Sequence, residues 1–150
     1  MSLIVQKYGG SSLRTAKEVH SVADRIQNLY AQGTSIVVVV SAMGNTTNEL
    51  IDLAFQVSPR PLQRELDMLL TTGERVSMSL LSMALNDRNV PAISFTGSQA
   101  GVITNESHNN AHIVEIKPLR VQQALEQKKV VVLAGFQGVT QSSKEITTLG

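Results

Sequence analysis

Cysteine is absent from the sequence, which excludes disulfides and thiolate metal sites and suits a reducing compartment. Charge of neither sign is in excess: the formal net charge is +1, and no lysine- or arginine-rich block stands out. No nucleic acid and no membrane surface is therefore expected as a partner. Long hydrophobic runs are missing as well. The most apolar interior stretch, residues 36–40, is far too short to cross a bilayer, and the N-terminus lacks the charged leader and long apolar core of a signal peptide. There is no low-complexity segment, internal repeat or shift of composition that would mark a linker. The familiar nucleotide loops are absent too, since neither G-x-x-x-x-G-K-[ST] nor G-x-G-x-x-G follows a strand. These exclusions leave a soluble, cytoplasmic globular chain. Its 150 residues suffice for one domain that buries about two-thirds of its extended surface.

Hydrophobic spacing supplies the elements. Residues 3–5 read as a first buried strand. Val19, Val22, Ala23, Ile26, Leu29 and Tyr30 recur at helical spacing up to Gly33. In SIVVVVSAMG, residues 35–44, four valines without polar alternation predict a strand covered on both faces of a parallel sheet. Leu50, Ile51, Leu53, Ala54 and Val57 mark a second helix, broken by Pro59 and Pro61. Residues 62–85 are helical again, interrupted around 71–74. Strands are expected at 90–95, 113–116 and 129–135, with a helix from Pro118 through Leu125. Strands alternating with helices predict an α/β sandwich around a mainly parallel sheet. Residues 144–150 have no closing helix and read as an interruption.

In an open parallel sheet, ligands bind beyond the carboxyl ends of the strands. Four loops there are rich in glycine and hydroxyls: residues 7–12, 41–48, 95–101 and 135–140. Glycine lets backbone N–H groups approach an anion, and the helix behind adds its positive dipole end. The same residues also serve tight turns and helix caps; residues 41–47 would pass as a turn capped by Asn45 or Thr46. Lys7 is harder to absorb, because a lysine ending a buried strand needs an anionic partner. Glu74, a carboxylate in an apolar helical stretch, is either ion-paired with Arg75 or a nearby cation, or a ligand group. His108 and His112 have metal-pair spacing, but Asn109 and Asn110 between them favour a solvated turn, and no metal site is expected. No hydrolase triad is supported, and the five methionines read as packing.

Taken together, KYGGSS, VVVSAMGNTTNEL, LDMLLTTGERVS, SFTGSQAGVIT and VVLAGFQGV with the final TTLG resemble the bacterial aspartokinases. K-[FY]-G-G-[ST]-S followed by T-x-G-E-R is highly specific, and the likeness runs over residues 7–150. It implies the amino-acid kinase fold, a three-layer α/β/α sandwich. Residues 1–150 would be the substrate-binding, N-terminal part of the catalytic domain, truncated before the nucleotide-binding half and the ACT regulatory domains. The implied reaction moves the γ-phosphoryl of ATP, carried with Mg²⁺, to the side-chain carboxylate of L-aspartate. The product is 4-phospho-L-aspartate, the first step toward lysine, threonine and methionine.

The resemblance also implies roles. Lys7 would contact the transferring phosphoryl group, and Gly9, Gly10 and Ser11 would hold ATP phosphates. Ser41, Asn45, Thr46 and Thr47 would line the aspartate site, and Glu74 would receive the substrate's amino group. The family continues past TTLG with arginine, two glycines, serine and aspartate. Without them the chain is expected to be inactive alone and to self-associate through strands such as 130–133 left exposed at the cut. The rival readings are a kinase for another acidic amino acid and a non-catalytic amino-acid-binding or assembly fragment.

Overall fold

The computed structural model describes residues 2–150. Strand β1 (Leu3–Tyr8) is followed by a single 3-10 turn at Gly10–Ser12 and by helix α1 (Ala16–Ala31). Thr15 caps α1 by accepting the Glu18 N–H, and the Glu18 carboxylate accepts the Arg14 N–H at 2.7 Å. Together these two bonds fix where the helix starts. Strand β2 (Ser35–Val40) leads to α2 (Thr46–Val57), α3 (Gln63–Leu70) and α4 (Thr72–Asp87). Pro59 and Pro61 fall in the break between α2 and α3, as the sequence predicts. Thr71 keeps helical dihedrals between α3 and α4, so the expected interruption there is a joint of one residue.

Strand β3 (Ala92–Phe95) precedes β4 (Val102–Thr104), β5 (Ile113–Ile116), α5 (Leu119–Glu126), β6 (Val130–Ala134), β7 (Gln137–Thr140) and β8 (Ile146–Thr148). The first sheet has the order β1-β2-β6-β3 and is parallel throughout. Its strands β2 and β6 are buried on both faces. Ile36, Val38, Val130 and Val132 pack with Val22 and Ile26 of α1 and Leu81 and Leu85 of α4. Val37 and Val131 face the other way, against Phe95, Val121 and Ala124. Helices thus cover both sides, giving the expected α/β/α sandwich.

Three expectations are corrected. Strand β1 lies at the edge of the sheet, and its alternating exposure leaves Leu3 and Val5 56% and 64% accessible, with Lys7 on the same open face. Lys7 is therefore not the end of a buried strand. Residues 130–133 are not an exposed edge either: β6 sits between β2 and β3. Residues 137–140, expected as loop, form β7. The chain's last residues are ordered as β8 in a second, mixed sheet of order β5-β4-β7-β8. There β4 runs parallel to β7, while β4–β5 and β7–β8 are antiparallel. No helix of the described residues is long and apolar enough to cross a membrane.

Candidate functional site

A cleft of about 470 Å³ opens at the carboxyl ends of β1, β2 and β6. Each wall comes from a different element. Lys7 is contributed by β1, Val39, Val40 and Ser41 by the end of β2, and Gly135 and Phe136 by the exit of β6. Thr47 projects from the first turn of α2, Glu74 from the first turn of α4, and Leu149 from the exit of β8. Two helix N-termini therefore border the cleft, a setting that favours negative charge.

Glu74 is 2% exposed. Its Oε1 accepts the Ala42 N–H at 3.3 Å, and its Oε2 is buried with no hydrogen-bond partner. The alternative of an ion pair with Arg75 is not realised: no cation of the described residues pairs with Glu74. Burial pushes the Glu74 carboxyl up from its ordinary value, partly offset by its own backbone N–H and that of Ala42. Close packing puts the carboxylate there, since a Cβ on Gly73 would lie 2.8 Å from the Ala42 methyl. Ser77 reinforces the contact by donating to the Ser41 carbonyl at 2.6 Å. Lys7 shares the cleft but makes no ion pair with any described residue.

The remaining predicted residues divide. Ser41 and Thr47 line the cleft with Lys7 and Glu74, whereas Asn45 and Thr46 do not. The Thr46 hydroxyl donates to the Met43 carbonyl at 2.6 Å, and the Asn45 side chain accepts from Asn48 at 2.7 Å. Gly9, Gly10 and Ser11 follow Tyr8 at the end of β1 and build the turn beside the cleft. In the loop at residues 95–101, Ser98 and Gln99 are exposed but Gly97 is packed against β7, where a Cβ would clash with the Gln137 carbonyl oxygen. His108 is not in a solvated turn, as its Nδ1 lies 2.6 Å from the buried Asp67 carboxylate.

Among the wall residues the sequence reading did not name individually are Phe136, inside the candidate loop 135–140, and Leu149. Both are apolar and look like core. The usable signal was Gly135 just ahead, which keeps Phe136 beside the strand end; Phe136 itself takes a left-handed φ of 69°, uncommon for a bulky residue and typical of functional sites.

The two glycines behind Lys7 make a test. A Cβ on Gly10 would stand 2.7 Å from the Gly44 carbonyl oxygen and 3.0 Å from that of Ala42, whereas Gly9 has φ −79° and open space around it. Gly10→Ala is expected to destabilise the fold by about 1–3 kcal/mol, the usual cost of overpacking. Gly9→Ala is expected to leave stability unchanged or raise it by ~0.4–1 kcal/mol. Thermal unfolding of the two variants checks this, and equal losses would contradict it. The fold has no steric need of glycine at position 9.

The architecture has counterparts. Residues 2–149 match the model of the amino acid kinase family. The aspartokinase of Mycobacterium tuberculosis is 57% identical over 150 residues, which is 100% of this chain and 36% of that protein. The chain thus spans about a third of the length of the curated relatives it matches. Among solved structures, the aspartate kinase from Synechocystis superposes with a TM-score of 0.82 at 50% identity, covering 100% of this chain and 24% of that one. Escherichia coli aspartokinase III in complex with aspartate and ADP gives a TM-score of 0.82 at 21% identity, over 100% of this chain and 44% of that one, a likeness of fold. By its fold and by the match along nearly its whole length, the chain belongs to the amino acid kinase family.

Proposed function

We propose that the cleft binds L-aspartate and that these 150 residues form the amino-acid side of an aspartokinase. The observation that carries this reading is the Glu74 Oε2, buried in the cleft without a partner. A buried carboxylate oxygen is costly unless a donor meets it, and the substrate's ammonium is such a donor. Ser41 and Thr47, the latter at the N-terminus of α2, offer hydroxyls to the carboxylates. Lys7, exposed and unpaired at the mouth, offers a cation to the phosphoryl group.

The side-chain carboxylate of aspartate is already an ionised nucleophile, so no strong base is needed. Transfer of the γ-phosphoryl of ATP needs alignment and positive charge. Among the described residues, no group of three His, Asp or Glu could hold a metal by itself. Mg²⁺ would arrive on the nucleotide phosphates, where it neutralises charge on the transferring oxygens. Gly9, Gly10 and Ser11 border the phosphate side. We assign adenine binding and regulation to residues outside these 150, and place the reaction in the cytoplasm. Exposed apolar side chains such as Val57, Leu62 and Met83 support association with a second copy.

The test is a coupled assay on a chain of the relatives' length carrying these residues. Aspartate-dependent ADP release, with an acyl phosphate trapped by hydroxylamine, is the expected result. Preference for another acidic amino acid would replace aspartate in this reading. Absence of any amino-acid-dependent turnover, with aspartate still bound by calorimetry, would favour the non-catalytic alternative.

A further inference from the structure

Asp67 is a second buried carboxylate, fully shielded from solvent on α3 and outside the cleft. Unlike Glu74, it is fully partnered. Its Oδ1 accepts the Thr148 hydroxyl at 2.6 Å, its Oδ2 lies 2.6 Å from His108 Nδ1, and both oxygens are 3.2 Å from the Asn109 N–H. For His108 to donate, its Nδ1 must carry the proton. Asn109 holds a left-handed φ of 62° while its amide faces the carboxylate, and its side chain donates to the Gln63 carbonyl at 3.3 Å. One carboxylate thus joins three segments distant in sequence: α3, the turn at residues 107–110 and β8.

An apolar contact would hold α3 against β8 at lower cost, because a buried charge must be desolvated. What the carboxylate adds is direction. Thr148 is followed by Leu149, a wall of the cleft, and the Leu149 N–H donates to the carbonyl of Phe136, another wall, at 2.9 Å. On the other side, α3 runs through the single joint Thr71 into α4, which carries Glu74. Asp67 therefore ties α3, which leads through Thr71 into the helix that bears Glu74, to β8, whose exit carries Leu149.

We propose that Asp67 is a positioning residue whose carboxylate sets the spacing between Glu74 and the Leu149–Phe136 wall, and so the fit of the amino acid between them. This rests on the reading of the cleft as an amino-acid site. Two variants test it in a chain of the relatives' length: Asp67→Asn, which turns an amide N–H₂ toward one of the donors, and Thr148→Val, which keeps the shape and removes the hydroxyl.

Each variant is expected to raise the KM for aspartate by roughly tenfold, the size of one lost charge-assisted hydrogen bond. The KM for ATP and kcat should stay within about threefold of wild type, because the lost fit is to one substrate. The double variant should be no worse than the worse single one, since both cut the same link. His108→Gln, whose amide can still donate to Asp67, should keep the KM for aspartate near wild type. Amide exchange at Leu149 and Gly150 should quicken in Asp67→Asn while that of Val38 in β2 does not.

A lowered melting temperature with an unchanged KM for aspartate would make Asp67 merely structural and overturn the proposal. So would unchanged exchange at Leu149 and Gly150. Should Asp67→Asn fail to fold, Thr148→Val decides by the same readouts. If the wild-type chain phosphorylates no amino acid, the functional reading falls, and the exchange measurement alone decides whether Asp67 holds the Leu149 wall.

Discussion

Lys7→Ala, introduced in a chain of the relatives' length, is expected to lower kcat for aspartate phosphorylation by on the order of 10²–10³, the loss typical of removing one preorganised group that stabilises developing charge. The KM for aspartate should move little. The side chain stands on the open face of the edge strand β1 and lines the cleft, and no anion of the described residues competes for it. A cation so placed meets charge only when a phosphoryl group is in transfer, and such an interaction appears in kcat rather than in KM. Stability should stay within about 0.5 kcal/mol of wild type, as for exposed substitutions away from special features. Lys7→Arg is not expected to restore the rate, because a planar fork does not replace a compact ammonium. Steady-state kinetics with a melting curve for each variant measures all of this. An unchanged kcat with a weakened KM would reduce Lys7 to a binding group.

The strands that the sequence makes legible are those whose pattern is local. In β2, Ile36, Val37, Val38 and Val40 are all buried, and an apolar run without alternation announces that. The second sheet is not legible in this way. Its strands β7 and β8 bury Gln137, Thr140, Thr147 and Thr148, polar residues that no hydrophobic pattern would place inside. They are tolerated because their partners come from far away: Gln137 reaches the Thr71 carbonyl at 3.2 Å, and Thr147 meets the Thr104 hydroxyl at 2.6 Å. Strand order is equally non-local. The run at residues 130–134 looks no different as an edge or as an interior strand, and β1 gives away its edge position only through Gln6 and Lys7 between apolar residues.

The same distinction governs the cleft. Misplaced charge singled out Lys7 and Glu74, and the family resemblance picked Ser41 and Thr47 out of the loop after β2. The structure brings these four together. Phe136 and Leu149 join them through chain direction alone, by a left-handed turn after β6 and by the exit of β8, neither of which leaves a charge or a periodicity to read. His108 failed for a related reason: its partner Asp67 lies 41 residues away, in a helix whose amphipathic pattern would have put a carboxylate outside.

Glu74→Gln should separate binding from stability. Aspartate affinity is expected to fall by roughly 10- to 150-fold, equivalent to the 1.5–3 kcal/mol of a charge-assisted hydrogen bond, while ATP affinity is kept. Without ligand, the variant should be more stable at neutral pH, because burial disfavours the ionised carboxylate in the folded state. A gain of about 1 kcal/mol would raise the melting temperature by ~2–4 °C in a domain of this size. The pH dependence has a fixed sign. With the folded-state pKa raised, the Glu74 carboxyl contributes fully to stability below its unfolded pKa, and that contribution is lost as pH rises through the folded value. The advantage of glutamine should therefore shrink toward acid. Binding runs the other way. As pH falls through the raised pKa, Glu74 takes up a proton and can no longer pair with an ammonium, so the wild-type KM for aspartate should climb on acidification while that of the variant stays flat. Calorimetric titration and melting curves between the ordinary carboxylate range and neutrality measure both trends. Unchanged aspartate affinity together with lowered stability would make Glu74 a structural carboxylate, and the cleft would lose the group that selects an amino acid.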